Sequence, residues 1–250
     1  MAICSTCQGK GVVSSQNAFS LPGVCSVCRG SGRVKLDIKD LAPHDHACFL
    51  YENPADQLAT AVSFMTQGLK QGECCFYITD ENSTDAVKDA FERNGVNVKK
   101  QLANRALNII TKKESYLSSG SFDASEMLEF CKDAIKAATR AGFMAFRGAG
   151  EMSWALGNEP GCDQLIIYET LIDEYFENVK PDVISLCQYN VKRFPISTLQ
   201  GVLHTHKTAV LEGGRVVSSP YYQDIFRTSS TDFQDSSAMM NFLKKNPPLN

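Results

Sequence analysis

The chain has 250 residues, 43% hydrophobic and 21% charged, with a formal net charge of −3 at pH 7. That size suits one large α/β domain with a small appendage, and the balanced charge gives no reason to expect nucleic acid as a partner of the whole chain. No apolar run reaches the roughly 18 residues of a membrane span, and the start Met1-Ala2-Ile3-Cys4 has no leader pattern, so a cytoplasmic, reducing location is expected.

Four of the ten cysteines form two tight pairs, Cys4-Ser5-Thr6-Cys7-Gln8-Gly9-Lys10-Gly11 and Cys25-Ser26-Val27-Cys28-Arg29-Gly30-Ser31-Gly32. Each reads CxxCxGxG, and seventeen residues separate Cys7 from Cys25. Two thiolates three positions apart on a turn can both reach one ion about 2.3 Å away. Two such turns complete a tetrahedron, and the glycines free backbone amides to bond the sulfurs. Cys4, Cys7, Cys25 and Cys28 are therefore expected to hold one structural Zn2+. Redox CxxC motifs are the bland alternative, but neither pair follows an apolar strand. The repeat resembles the cysteine-rich module of DnaJ-type chaperones, which has four repeats and two zinc ions. Two repeats imply one ion here, and no His-Pro-Asp signature carries a chaperone role over. Residues 1–39 hold five Lys/Arg against one acidic residue, which leaves room for an RNA- or protein-touching surface on this module.

From Leu41 onward, short apolar runs alternate with amphipathic stretches. Residues 47–51 read as a buried strand. Asn53-Pro54 then caps a helix whose face is Leu58, Val62, Met65 and Leu69, closed by Gly72. Strands are expected at 74–79, 107–110, 143–147 and 183–189. Helices are expected at 83–94, 125–140, 162–179 and 196–203. A hairpin follows through Gly213-Gly214, and residues 223–250 read as a tail with a short helix. Strands apolar on both faces that alternate with helices indicate a mostly parallel sheet covered on both sides.

In such sheets ligands bind beyond the carboxyl ends of the strands. That rule selects Tyr51-Glu52-Asn53, Thr79-Asp80-Glu81, Arg147 to Glu151, and Gln188-Tyr189-Asn190. No GxxxxGK[ST] phosphate loop is present, and Gly148-Ala149-Gly150 is only a fragment of GxGxxG, so ATP hydrolysis is not expected. All four histidines fall in two His-x-His pairs, His44/His46 and His204/His206. On a strand, His46 and Cys48 share a face, and with a histidine of the other pair they offer either a second metal site or ordinary buried core. Arg147 past a central strand either clamps an anion or pairs with Glu151. Trp154 either lines a pocket or plugs the core.

The run His46-Ala47-Cys48-Phe49-Leu50-Tyr51 matches HxCxxY. With Arg147 to Trp154, Cys187-Gln188-Tyr189, His206, Gly213-Gly214 and Pro220-Tyr221-Tyr222, it resembles the MEDS (methanogen/methylotroph, DcmR sensory) domain over residues 41–222. The resemblance implies a RecA/KaiC-like core without a phosphate loop that senses a small organic compound, one-carbon or hydrocarbon-derived. Its signature positions are His46, Cys48 and Tyr51, with Arg147, Glu151, Cys187, Tyr189 and His206 as further ligand-binding candidates. Neither a DNA-binding helix-turn-helix nor a kinase segment is apparent, so output through a protein partner is expected, with self-association left open. The rival expectations are a metal- or thiol-dependent enzyme using His46, Cys48 and His206, and a zinc-module adaptor for RNA or protein.

Overall fold

The structure, a computed structural model, describes residues 37–219, 221–222 and 235–245, together with Gln8, Lys10 and four two-residue strands near the amino end. These strands are β1 (Ala2–Ile3), β2 (Val12–Val13), β3 (Gly23–Val24) and β4 (Arg33–Val34). β1 pairs antiparallel with β4, and β2 with β3. Cys4, Cys7, Cys25 and Cys28 lie outside the described residues.

The main unit alternates strand and helix as the apolar periodicity requires. β5 (His46–Tyr51) leads into α1 (Pro54–Gln71). The Asn53 side chain accepts the Ala55 amide at 2.9 Å, Pro54 supplies a preset φ in the first turn, and Gly72 ends the helix at φ 77°. β6 (Cys74–Thr79) is followed by α2 (Thr84–Arg93) and a short α3 (Val98–Ala103). β7 (Leu107–Thr111) precedes α4 (Ala124–Arg140), whose cap, Asp123, accepts the Ser125 and Glu126 amides at 2.9 Å. Then come β8 (Ala145–Glu151), α5 (Leu165–Asn178), β9 (Asp182–Asn190) and α6 (Ile196–Thr205). β10 (Thr208–Leu211) and β11 (Arg215–Ser218) form the closing hairpin, and α7 (Ser236–Lys245) is the last described element.

Seven strands make one sheet in the order β11-β10-β5-β9-β8-β6-β7. Every neighbouring pair is parallel except β10 with β11. Helices α1 to α3 cover one face and α4 to α7 the other, giving two separate apolar cores. The mostly parallel α/β sheet read from the sequence is thus the observed fold.

Three local expectations are corrected. Residues 147–151 are not a loop beyond a strand: β8 runs through Glu151 and is hydrogen-bonded on both sides, opposite β6 and β9. The helix expected over 162–179 opens with a 3-10 turn at Cys162–Gln164 before α5. The helix of the tail is docked rather than loose. Met239, Met240 and Leu243 are buried in the core on the α4–α6 face, and the Arg215 guanidinium donates to the Lys244 carbonyl at 2.7 Å.

Trp154 is a plug. It is fully buried, with its ring stacked on Tyr116 at 4.8 Å and tilted against Phe122 at 4.2 Å between centroids. Such aromatic pairs add about 0.5–1.5 kcal/mol each beyond simple burial. Ile38, in the 3-10 turn Ile38–Asp40, packs into the core under α1, so the start of the sheet domain is anchored there. No described helix is long and apolar enough to cross a membrane.

Candidate functional site

Side chains alternate faces along a strand, and this parity divides the eight candidate residues into two groups. Tyr51, Arg147 and Glu151 face α1 and α2. His46, Cys48, Cys187 and Tyr189 face α5, where His206, at the end of α6, joins them.

On the α1 face, Arg147 is 2% exposed. Its Nε lies 2.5 Å from Glu73 Oε2, one terminal nitrogen donates to Glu73 Oε1 at 3.0 Å, and the guanidinium lies 4.5 Å from the Phe64 ring centroid. Gly68 of α1 makes room for this pair, since a Cβ there would sit 2.5 Å from Arg147 Nε. Arg147 therefore pairs with Glu73 and not with Glu151. Glu151 accepts the backbone amides of Asp80, Glu81 and Asn82 at 2.9, 2.7 and 3.0 Å, and the Tyr77 hydroxyl at 3.0 Å. Three successive amides form an anion-binding nest, and the chain's own carboxylate fills it. Tyr51 donates to Glu81 at 3.5 Å.

On the α5 face, β5 and β9 are neighbours with Cys48 opposite Cys187 and His46 opposite Ser185. Over them α5 lays Glu169, which the sequence reading missed. Glu169 has zero exposure yet sits on the apolar stripe Leu165, Ile172 and Phe176. An acidic residue on a buried helical stripe is the signal that marks it. His46 Nε2 lies 3.1 Å from Glu169 Oε2, and His46 Nδ1 lies 3.3 Å from Asp173 Oδ1, one helical turn further along α5. Tyr189 donates to Glu169 Oε1. Cys187 Sγ lies 3.5 Å from His46 Nε2 and 3.6 Å from Glu169 Oε2. The His46 and His206 rings are 3.9 Å apart.

The hydrogen bonds assign the imidazole protons. His206 Nδ1 lies 2.8 Å from the Val202 carbonyl, which can only accept, so Nδ1 carries the proton. Its Nε2 is a bare lone pair with no hydrogen-bond partner, 3.6 Å from Glu169 Oε2. Burial and the neighbouring His46 depress its pKa to about 4. Burial also works against a charge on His46, but the bonds to Asp173 and Glu169 prevail and raise it to about 9. Burial opposes ionisation of Glu169 too, yet its surroundings, the charged His46 and the Tyr189 hydroxyl among them, hold its carboxyl below the ordinary range. The Cys48 and Cys187 thiols are pushed up, by burial first and by the Glu169 charge second. Cys48 makes only a long contact, 3.8 Å, to the Thr208 carbonyl. The other two histidines serve backbone: His44 donates to Phe176 O and His204 to Tyr221 O, each at 2.8 Å.

Beside the cluster lies a cavity of about 60 Å³ between the sheet and helices α4 and α5. Its floor is low because Gly148 and Gly150 present no side chain, and its walls include Phe76, Phe130, Ile172 and Phe176. His46 and Cys187 form its polar corner. The cluster and cavity lie under α5 on one face of the sheet, with His46 at the amino end of β5.

Comparison with known proteins agrees with this architecture. The chain is 27% identical over 179 residues to the transcriptional repressor DcmR of Methylorubrum extorquens (strain DSM 6343 / CIP 106787 / DM4). That match covers 72% of this chain, and the chain spans 64% of the length of that relative. The crystal structure of the KaiC-like protein PH0186 from Pyrococcus horikoshii OT3 shares the fold, with a TM-score of 0.50 and 12% identity over 68% of this chain and 72% of that one. The profile of the MEDS domain, described as the MEthanogen/methylotroph, DcmR Sensory domain, matches residues 45–207, a span that contains His46, Glu169, Cys187 and His206, and the chain belongs to that family.

Proposed function

We propose that this chain is a sensory module that holds a small organic molecule in the cavity beside His46 and Cys187 and passes the occupancy to a protein partner. The observation that carries this is the cavity. A water needs roughly 10–15 Å³ of such space, so about 60 Å³ suits a guest of only a few heavy atoms. Apolar walls with one hydrogen-bonding corner fit a one-carbon or short hydrocarbon derivative. A regulatory output accords with the relative named as a transcriptional repressor. The raised Cys48 and Cys187 thiols are the reverse of an activated nucleophile, which favours binding over thiol catalysis. The nest at residues 80–82 accepts Glu151 and not a phosphate, which favours a non-hydrolytic role.

The test is thermal melting with one- to four-carbon alcohols, aldehydes and amines. A melting temperature that rises with concentration and saturates supports the reading. Gly148→Ala should blunt that rise, because the added Cβ reaches into the cavity yet meets nothing closer than 3.7 Å. A panel that moves neither protein opposes it.

For the amino-terminal module we propose one structural Zn2+ on Cys4, Cys7, Cys25 and Cys28. The paired ladders support it. Residues 4–11 and 25–32 each carry one CxxCxGxG repeat and each connect the β1·β4 ladder to the β2·β3 ladder. One zinc per chain should be lost on Cys4→Ser.

A further inference from the structure

We propose that His46, Glu169, Cys187 and His206 form a second metal centre, a buried four-ligand site for a divalent transition ion such as zinc or cobalt. The inference does not depend on an organic ligand, and it concerns residues remote in sequence from the amino-terminal cysteines.

Geometry comes first. His46 Nε2, Glu169 Oε2, Cys187 Sγ and His206 Nε2 all lie within 4.8 Å of one another. A tetrahedral ion with bonds of about 2.0–2.3 Å needs ligand atoms about 3.3–3.7 Å apart. Four of the separations are 3.1, 3.5, 3.6 and 3.6 Å. Four of the six separations are thus already close to the edges of such a site, and the two from His206 Nε2 to His46 Nε2 and to Cys187 Sγ lie within 4.8 Å, so modest shifts complete it.

The outer shell comes second. A metal-bound histidine usually donates its other nitrogen to a carboxylate or carbonyl, which fixes tautomer and ring. His46 does so to Asp173, itself bonded by the Tyr222 hydroxyl at 2.8 Å, and His206 does so to Val202 O. Tyr189 occupies Glu169 Oε1 and leaves Oε2 facing the centre. Each of these three ligands is held with one atom aimed inward.

The independent sign is His206 Nε2. It is a lone pair on a residue of zero exposure, without a hydrogen-bond partner, 3.6 Å from a carboxylate oxygen. Two acceptors facing each other across 3.6 Å in a dry interior repel, and an unsatisfied buried acceptor is costly. A cation between them removes both costs. The charges also close. Binding releases the proton of His46 Nε2 and the thiol proton of Cys187 to solvent. One carboxylate and one thiolate then neutralise the 2+ ion, with two neutral imidazoles completing the shell and no change of oxidation state. Imidazole with thiolate suits zinc, cobalt or copper rather than magnesium or calcium.

The experiment is cobalt(II) titration of the full chain carrying Cys4→Ser, Cys7→Ser, Cys25→Ser and Cys28→Ser, which removes the other thiolate set. One equivalent should bind with the visible bands of tetrahedral cobalt and a thiolate-to-cobalt charge-transfer band. Adding Cys187→Ser should abolish that band, and adding His206→Gln should weaken binding at least tenfold. A folded quadruple variant that takes up no stoichiometric cobalt or zinc overturns the proposal. So does a charge-transfer band that survives Cys187→Ser. If the quadruple variant does not fold, zinc-loaded wild type and His206→Gln are compared under chelator competition, where the variant should give up one equivalent at a clearly lower chelator concentration and identical curves overturn the proposal. Cobalt uptake is read without organic ligand, so its failure leaves the thermal-shift test of the sensory reading standing, and the reverse also holds.

Discussion

The two faces of the sheet each bury charge, and they handle it differently. Under α1, the Arg147 guanidinium is bracketed by Glu73, Gln71 and the Phe64 carbonyl, and the Glu151 carboxylate accepts five donors. Under α5, His206 Nε2 is left with a bare lone pair, and glycines of β8 leave a cavity beside His46 and Cys187. Burial of a charged side chain marks neither face as a site. Neutral groups such as Gln188 Nε2 lack a partner on the first face too, so the second is distinguished by an unpartnered imidazole nitrogen close to a carboxylate, in a cluster that borders unfilled space. The first is an internal brace, with a paired guanidinium and a carboxylate seated in an amide nest.

That contrast can be broken by substitution. Arg147→Ala should have the largest effect on stability, because it strands the Glu73 carboxylate. Loss of one partner of a buried pair costs about 3–5 kcal/mol, read in urea unfolding, while cobalt uptake by the folded fraction stays unchanged. A parallel loss of cobalt would join the two faces functionally. Glu169→Gln should reverse the pattern: cobalt affinity should fall by at least the ~100-fold upper range seen for outer-shell changes, with a smaller change in the urea midpoint. Asp173→Asn, which touches only the far nitrogen of His46, should weaken cobalt by about tenfold. A loss equal to that of Glu169→Gln would make Asp173 a direct ligand.

Smaller effects sharpen the same distinction. Gly148→Ala should keep or raise stability by up to about 1 kcal/mol, since glycine within a strand is entropically costly, while reducing the organic-ligand thermal shift. Smallest is the behaviour of Cys74, near the edge strand β7. Burial raises its thiol to about 11, with Asn108 donating to it as a modest opposing influence. Because the native thiol is neutral at pH 7, alkylation by iodoacetamide should be slow there and accelerate only as pH approaches 11 or on unfolding.

Much of the fold was legible in the chain. Asn53-Pro54 and Gly72 bracket α1 because a cap, a preset φ and a left-handed residue are local needs. The continuous apolar runs at 74–79 and 183–189 predict strands buried on both faces, and β6 and β9 are that. Phe143 to Arg147 was less legible. Gly148 and Gly150 read as punctuation, yet ladder bonds to β6 and β9 on both sides carry β8 through them to Glu151. Of the site, His46 and Cys187 were visible through their motifs. Glu169 was not, because one carboxylate among the several on α5 stands out only once its helical face is known.

By itself the sequence determined the alternation of elements, their caps and the strand parity that puts His46 with Cys48, since 2.0- and 3.6-residue periods are properties of the local backbone. Strand order and helix docking decided the rest. They place β9 beside β5, turn the Glu169 edge of α5 onto both, and bring His206 from the end of α6 into the same few ångströms. Those contacts join His46 to residues more than a hundred positions away, and only packing of the two layers chooses among the surfaces that each helix could offer.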